Sequence, residues 1–138
     1  MSTDDVALNK AAAIERCILR IREVYEGQPK HLTDDLTRQE SILLNLQRAC
    51  EASIDLAMHL VRRARLGIPQ DSRDAFDLLV RAGRLDASLA DGLKRMVGFR
   101  NVAVHDYIRL DLAIVRSIIE TQLDNLARFA RESILERS

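Results

Sequence analysis

The feature that most constrains this chain is the run from about Arg38 to Leu66, where Ile42, Leu46, Ala49, Cys50, Ile54, Ala57, Leu60, Val61 and Ala64 recur at helical spacing without an intervening glycine or proline. Thr37 and Glu40 stand ahead of it as a Thr-x-x-Glu capping box. A helix of about 28 residues spans roughly 42 Å at 1.5 Å rise per residue. So long a rod dictates a bundle, because its apolar stripe is buried only if other helices lie along it. It is also longer than a domain of 138 residues needs for its own core, which leaves surface for a partner. Gln47, Glu51 and Asp55 form an i, i+4 polar row on another side, either simply solvated or facing a shared site.

The remaining segments carry the same periodicity. Ala7, Ala11, Ile14, Cys17, Ile18, Ile21 and Val24 mark a helix from about Asp4 to Tyr25, ended by Gly27 and Pro29. A short polar connection through Lys30, His31 and Asp34 leads to the long run, which Gly67 and Pro69 stop. Asp71 or Ser72 caps a short helix through Ala75, Phe76, Leu79 and Val80, closed by Gly83. Asp86 or Ser88 starts the next, with Leu89, Leu93, Met96 and Val97 inward, running toward Arg100. A final helix begins at Asp111 and continues through Leu112, Val115, Ile118, Ile119, Leu123, Leu126, Phe129 and Ile134. With 5 glycines, 2 prolines and few aromatic or β-branched runs, the expectation is an all-α, antiparallel bundle of four to five helices in a single domain over residues 1–138.

Twenty-one basic residues balance 21 acidic ones, so no global field holds a polyanion, and a nucleic-acid site has to be local. Cys17 and Cys50 lie inside helical patterns without a Cys-x-x-Cys or a histidine at ligand spacing, as expected of reduced core thiols. No signal-peptide core and no stretch of ~18 apolar residues is present, which points to a cytoplasmic protein without a membrane segment. The sequence also has no Gly-rich phosphate loop, no zinc pattern and no paired catalytic carboxylates. His31 and His59 stand alone, as a loop residue and a helix-surface residue.

Chemistry concentrates in Arg100-Asn-Val-Ala-Val-His-Asp-Tyr107. On an ideal helix Arg100 and Tyr107 lie within about 20° of each other, whereas His105 is about 140° round from Arg100. One straight helix does not aim Arg100 and His105 together. Either the backbone breaks within the motif, or a second copy of the chain supplies the partner side chain. Lys94, Arg95 and Arg109 flank the motif as candidates for contact with a nucleic-acid backbone, while Arg62, Arg63 and Arg65 read as favourable charge at a helix C-terminus.

Arg100, four residues, His105, one residue, Tyr107 resembles the Arg-x4-His-x-Tyr motif of HEPN-domain proteins, with polar Asn101 after the arginine. Met96-Val97-Gly98-Phe99 before it, and Leu112 with Ile114-Val115 after it, extend the likeness. Over its whole length the chain is similar to the HepT-type HEPN toxins. That resemblance implies a homodimer pairing through the long helices, with two motif copies in one cleft that forms a metal-independent ribonuclease site. His105 would then act as general acid and base on the substrate's own 2′-hydroxyl, and Arg100 would stabilise the phosphate charge. Asn101 would donate to phosphate or base, and Asp106 would orient an imidazole or cap the next turn. The resemblance further implies an MntA-like nucleotidyltransferase antitoxin that transfers AMP to Tyr107, using ATP itself, so that this chain needs no cofactor or metal. The added phosphodiester would block the RNA path beside Arg100 and His105. A rival within the same fold is a non-catalytic nucleotide- or RNA-binding subunit of a two-component nucleotidyltransferase, which would keep its main activity without His105. A third reading is a structural adaptor, indifferent to the loss of both Arg100 and His105.

Overall fold

The structure, a computed structural model, describes residues 4–105 and 111–135, and of residues 101–105 the backbone alone. Among the described residues the chain forms seven helices and no strand. They are α1 (Asp5–Tyr25), α2 (Lys30–Thr33), α3 (Leu36–Ala64), α4 (Ser72–Arg81), α5 (Ala87–His105), α6 (Leu112–Thr121) and α7 (Leu123–Leu135). No helix among the described residues is long and apolar enough to cross a membrane.

The long helix is present and central, with α1, α2, α4, α5 and α7 all packed along it. This enclosure is why its buried surface is wider than one stripe. Beyond Ile42, Leu46, Ala49, Cys50, Ile54, Ala57 and Val61, the residues Leu43, Ala52, Ser53 and Leu56 are also buried. Its start differs from the capping-box expectation: the Asp35 carboxylate, not Thr37, accepts from the Arg38 amide at 3.1 Å. Aspartate is at least as good an N-cap as threonine, so the earlier residue captures the first turn and Thr37 lies inside it, exposed. The other end comes before Gly67. Arg65 takes a left-handed conformation (φ 56°), and the Leu66 amide reaches back to the Val61 carbonyl at 3.0 Å, a Schellman closure on a non-glycine residue.

Every residue assigned to the apolar stripe of α1 is buried, and Tyr25 joins them. The connection after α1 contains the single turn α2, whose Leu32 is fully buried. Asp71 caps α4, and the left-handed Gly83 (φ 71°) closes it as the Arg84 amide bonds the Leu79 carbonyl at 2.9 Å. Asp86 caps α5 rather than Ser88, accepting from the Leu89 amide at 3.0 Å.

The last helix is divided, contrary to the single run expected from Asp111 to Ile134. Asp111 is the cap as expected, but α6 ends at Thr121, whose hydroxyl donates to the Ser117 carbonyl at 2.6 Å. Such back-bonding by threonine bends helices. At the interruption the Gln122 and Asn125 side-chain amides, bonded to one another at 2.8 Å, lie over Gly92 of α5. A Cβ on residue 92 would lie 2.5 Å from the Gln122 Oε1, so the glycine leaves the room these two side chains occupy. Phe76 of α4 and Phe129 of α7 meet edge to face at 5.8 Å between ring centroids, tying α4 to α7 within the core.

Candidate functional site

α5 carries the motif and remains helical through His105. Its buried residues Leu89, Leu93, Met96, Val97 and Phe99 fasten it to the core and fix the direction in which it delivers residue 100. Arg100 lies one-third exposed, its Nε 3.7 Å from Oε1 of Glu51 on α3. The middle member of the α3 polar row thus faces the motif arginine. Asp55, one turn further along, takes Lys10 of α1 at 3.2 Å instead. Behind this pair is Cys50, whose thiol is pushed up by burial and by Glu51, with Arg100 opposing. Cys17 is likewise raised by burial. Both cysteines are unpaired and buried, in keeping with inert core thiols.

Because α5 is unbroken to residue 105, the backbone keeps Arg100 and His105 about 140° apart around its axis. Of the two ways to bring them together, a break between them is thereby removed. The side chains of Asn101 and His105, and the whole of Asp106, Tyr107 and Arg109, lie outside the described residues.

The flanking cations are not equivalent. Lys94 is held by Asp77 of α4 at 2.8 Å and by Asp91 at 3.8 Å, and the hydrogen bond and charge of Asp77 raise its pKa. Its charge is therefore already answered. Arg95 is exposed. Arg73, which sequence reasoning passed over, extends from α4 onto α5, where its Nε donates to the Lys94 carbonyl at 3.3 Å.

The two lone histidines are both engaged elsewhere. His31 belongs to α2 rather than a loop, and its Nδ1–H donates to the Tyr25 carbonyl at 2.9 Å. His59 is not simply on the helix surface: it is mostly buried and grips the Asp4 carboxylate at 2.8 Å, with Arg63 on the same carboxylate at 3.5 Å. Among the described residues no three His, Cys, Asp or Glu side chains converge as a metal site would require.

The helix bundle, with the motif helix anchored in its core, defines an all-α protein of the helical-bundle class. The family described as Ribonuclease HepT-like matches residues 14–133. The chain is 48% identical over 126 residues to an mRNA nuclease HepT of Shewanella oneidensis, covering 91% of this chain and 94% of that protein. A putative RNase of Archaeoglobus fulgidus is 33% identical over 98 residues, covering 70% of this chain and 74% of its own. Among solved structures, the tri-AMPylated Shewanella oneidensis HEPN toxin in complex with MNT antitoxin superposes with a TM-score of 0.90 at 46% identity, covering 97% of this chain and all of that one. A toxin–antitoxin structure with AMP-PNP superposes equally well, with a TM-score of 0.90 at 46% identity over 96% of this chain and 100% of that one. This chain belongs to the HepT-like ribonuclease family, and the all-α HEPN fold expected from its motif is the fold it has.

Proposed function

We propose that this chain is the toxin of a two-gene toxin–antitoxin pair, a cytoplasmic endoribonuclease that cleaves messenger RNA as a homodimer and is silenced by an MntA-like nucleotidyltransferase. Its similarity over nearly its whole length to an mRNA nuclease, and to a HEPN toxin solved with its MNT antitoxin, supports the substrate class and the partner. The observation that carries the composite site is the unbroken helix from Arg100 to His105. With the two residues on different sides of α5, one chain does not address a single phosphate with both, and a second copy supplies the missing side chain.

The chemistry follows from these residue types. His105 removes the ribose 2′-hydroxyl proton, and the 2′-oxygen attacks the adjacent phosphorus. The bond to the 5′-oxygen breaks, and that oxygen takes up a proton from an imidazolium. The products are a 2′,3′-cyclic phosphate and a 5′-hydroxyl. Arg100, oriented by Glu51, offers the non-bridging oxygens a charge-assisted fork while negative charge builds on them. The nucleophile belongs to the substrate, so DNA is not cleaved and neither metal nor cofactor is required of this chain. Asn101 donates to the RNA and Asp106 supports the imidazole. Transfer of AMP from ATP to the Tyr107 hydroxyl, with loss of pyrophosphate, adds an anionic and bulky group beside Arg100 and His105 and excludes the RNA backbone. The tri-AMPylated state of the similar Shewanella toxin supports this switch.

Growth and RNA-end analysis on inducing the wild type, His105→Ala and Tyr107→Phe, with and without the antitoxin, tests the proposal. Wild type should arrest growth and leave cyclic-phosphate ends, His105→Ala should be harmless, and Tyr107→Phe should be toxic but no longer rescued. Intact RNA in all three, with Tyr107 unmodified by mass, would return the chain to the class of non-catalytic binding subunits.

A further inference from the structure

Two residues that local physics disfavours meet on the motif helix. Gly98 lies inside α5, where glycine costs about 1 kcal/mol relative to alanine. Arg73 lies in the first turn of α4, where a cation opposes the helix dipole. The structure joins them: Arg73 Nε donates to the Lys94 carbonyl, and a Cβ on residue 98 would stand 3.0 Å from its Nη2. Gly98 is thus the seat of the Arg73 guanidinium. Among the described residues no carboxylate pairs with that guanidinium, whereas Lys94 beneath it is answered by Asp77 and Asp91. Lys94 and Arg73 therefore reverse the roles their sequence positions suggest: the lysine next to the motif is internally neutralised, and the distant arginine is the cation available to a ligand.

The register of α5 gives that cation its place. The positions of Lys94, Gly98 and His105 fall within a sector of about 40° around the helix, while Arg100 lies roughly on the opposite side, beside Glu51 of α3. Gly98 and His105 are about 10 Å apart along the axis. Arg73 consequently marks the His105 side of α5, too far along it to reach the phosphate being cleaved.

We infer that Arg73, seated on Gly98, binds a backbone phosphate of the RNA next to the scissile one and so aligns the strand along the His105 side of α5. The inference rests on the ribonuclease reading for the location of the scissile bond. It assigns Arg73 to substrate binding, not to the chemical step. A guanidinium already tethered through its Nε to the Lys94 carbonyl loses less freedom on gripping a phosphate than a solvated lysine does.

The test uses the full-length chain and an unmodified single-stranded RNA oligonucleotide. Binding is measured against salt in the His105→Ala background, and cleavage in the His105 background with KM and kcat resolved separately. Arg73→Gln should raise Kd and KM about tenfold, affect kcat less, and lower the log–log salt slope by about 0.7, the value for one phosphate contact on a single strand. Gly98→Ala, which leaves the arginine but fills its seat, should move Kd in the same direction. Arg81→Gln removes a cation of the same helix that Asp74 already answers at 3.7 Å, and should leave Kd unchanged. An unaltered Kd and slope in Arg73→Gln overturns the inference. So does weaker binding of the antitoxin with RNA affinity intact, which would assign the arginine to a protein interface. Should His105 prove dispensable for cleavage, the ribonuclease reading fails, while the Kd and salt slope still decide the role of Arg73.

Discussion

The α1–α3 pairing and the α4–α5 pairing are built from opposite materials. Along α1 and α3 the seam is apolar, with Ala7, Ala11, Ile14, Ile18 and Ile21 buried on one helix and Ile42, Leu46, Ala49 and Ile54 on the other. Charges touch it only at the margins, as in Lys10 with Asp55 at 3.2 Å and Asp4 with His59 at 2.8 Å. Between α4 and α5 the apolar contact of Phe76 and Leu79 is supplemented by a polar clamp around Lys94, with Asp77 on its ammonium and Arg73 on its carbonyl. Apolar burial is non-directional and supplies stability wherever it is dense. Polar clamps are directional and fix where a charge stands. The first pairing therefore holds the fold, and the second, with Glu51 reaching over from α3, aims the cations of the motif helix.

Four changes would break or sharpen that division. His105→Ala should lower RNA cleavage by about 10²- to 10⁴-fold, the usual worth of general acid–base catalysis, while the thermal midpoint stays within a few degrees. A comparable loss of folding stability would mean that the motif also supports the core. Leu46→Ala should do the reverse, costing about 2–5 kcal/mol in a denaturant titration because Leu46 is wholly buried in the α1–α3 seam. Its kcat per folded molecule should be unchanged.

Glu51→Ala lies between the two extremes. It releases the Arg100 Nε from its 3.7 Å contact and should reduce kcat about tenfold through misplacement of the guanidinium, with a smaller change in melting temperature. A kcat equal to wild type would show that α3 does not orient the arginine.

The smallest effect expected is at the other end of α3. Burial pushes the Asp4 carboxyl up, but the Ala7 amide, His59 and Arg63 together outweigh it and hold the group below its ordinary 3.8. A folded value below the unfolded one means that the contribution is present above the unfolded pKa and is lost as pH falls through the folded one. Asp4→Asn keeps an N-cap but removes the charge, so it should flatten the stability–pH curve below about pH 4 and cost about 1 kcal/mol or less at neutral pH. Melting curves across that range check the sign.

Much of this was legible in the residues. The apolar stripes of α1, α3 and α5 came from spacing alone, since 3.6-residue periodicity reports which side of a helix loses water. Capping was read less well: Asp35 displaced Thr37, because N-cap residues of similar strength compete within fractions of a kcal/mol, and Arg65 closed α3 where a glycine was expected. The break at Gln122 was missed because Thr121 and Ser117 carry no apolar signal, although a threonine able to bond back to residue i−4 is a hint of bending.

By itself the sequence determined the all-α class, the central helix, the membership of the core and the motif that identifies the family. All of these follow from periodicity or from residues close together in the chain. Only the tertiary structure decided that Glu51 faces Arg100 across 49 residues, that Lys94 is neutralised by Asp77, and that Arg73 rests on Gly98. Each depends on the rotation and offset of one helix against another, quantities set by packing of the whole core and encoded in no single stretch of chain.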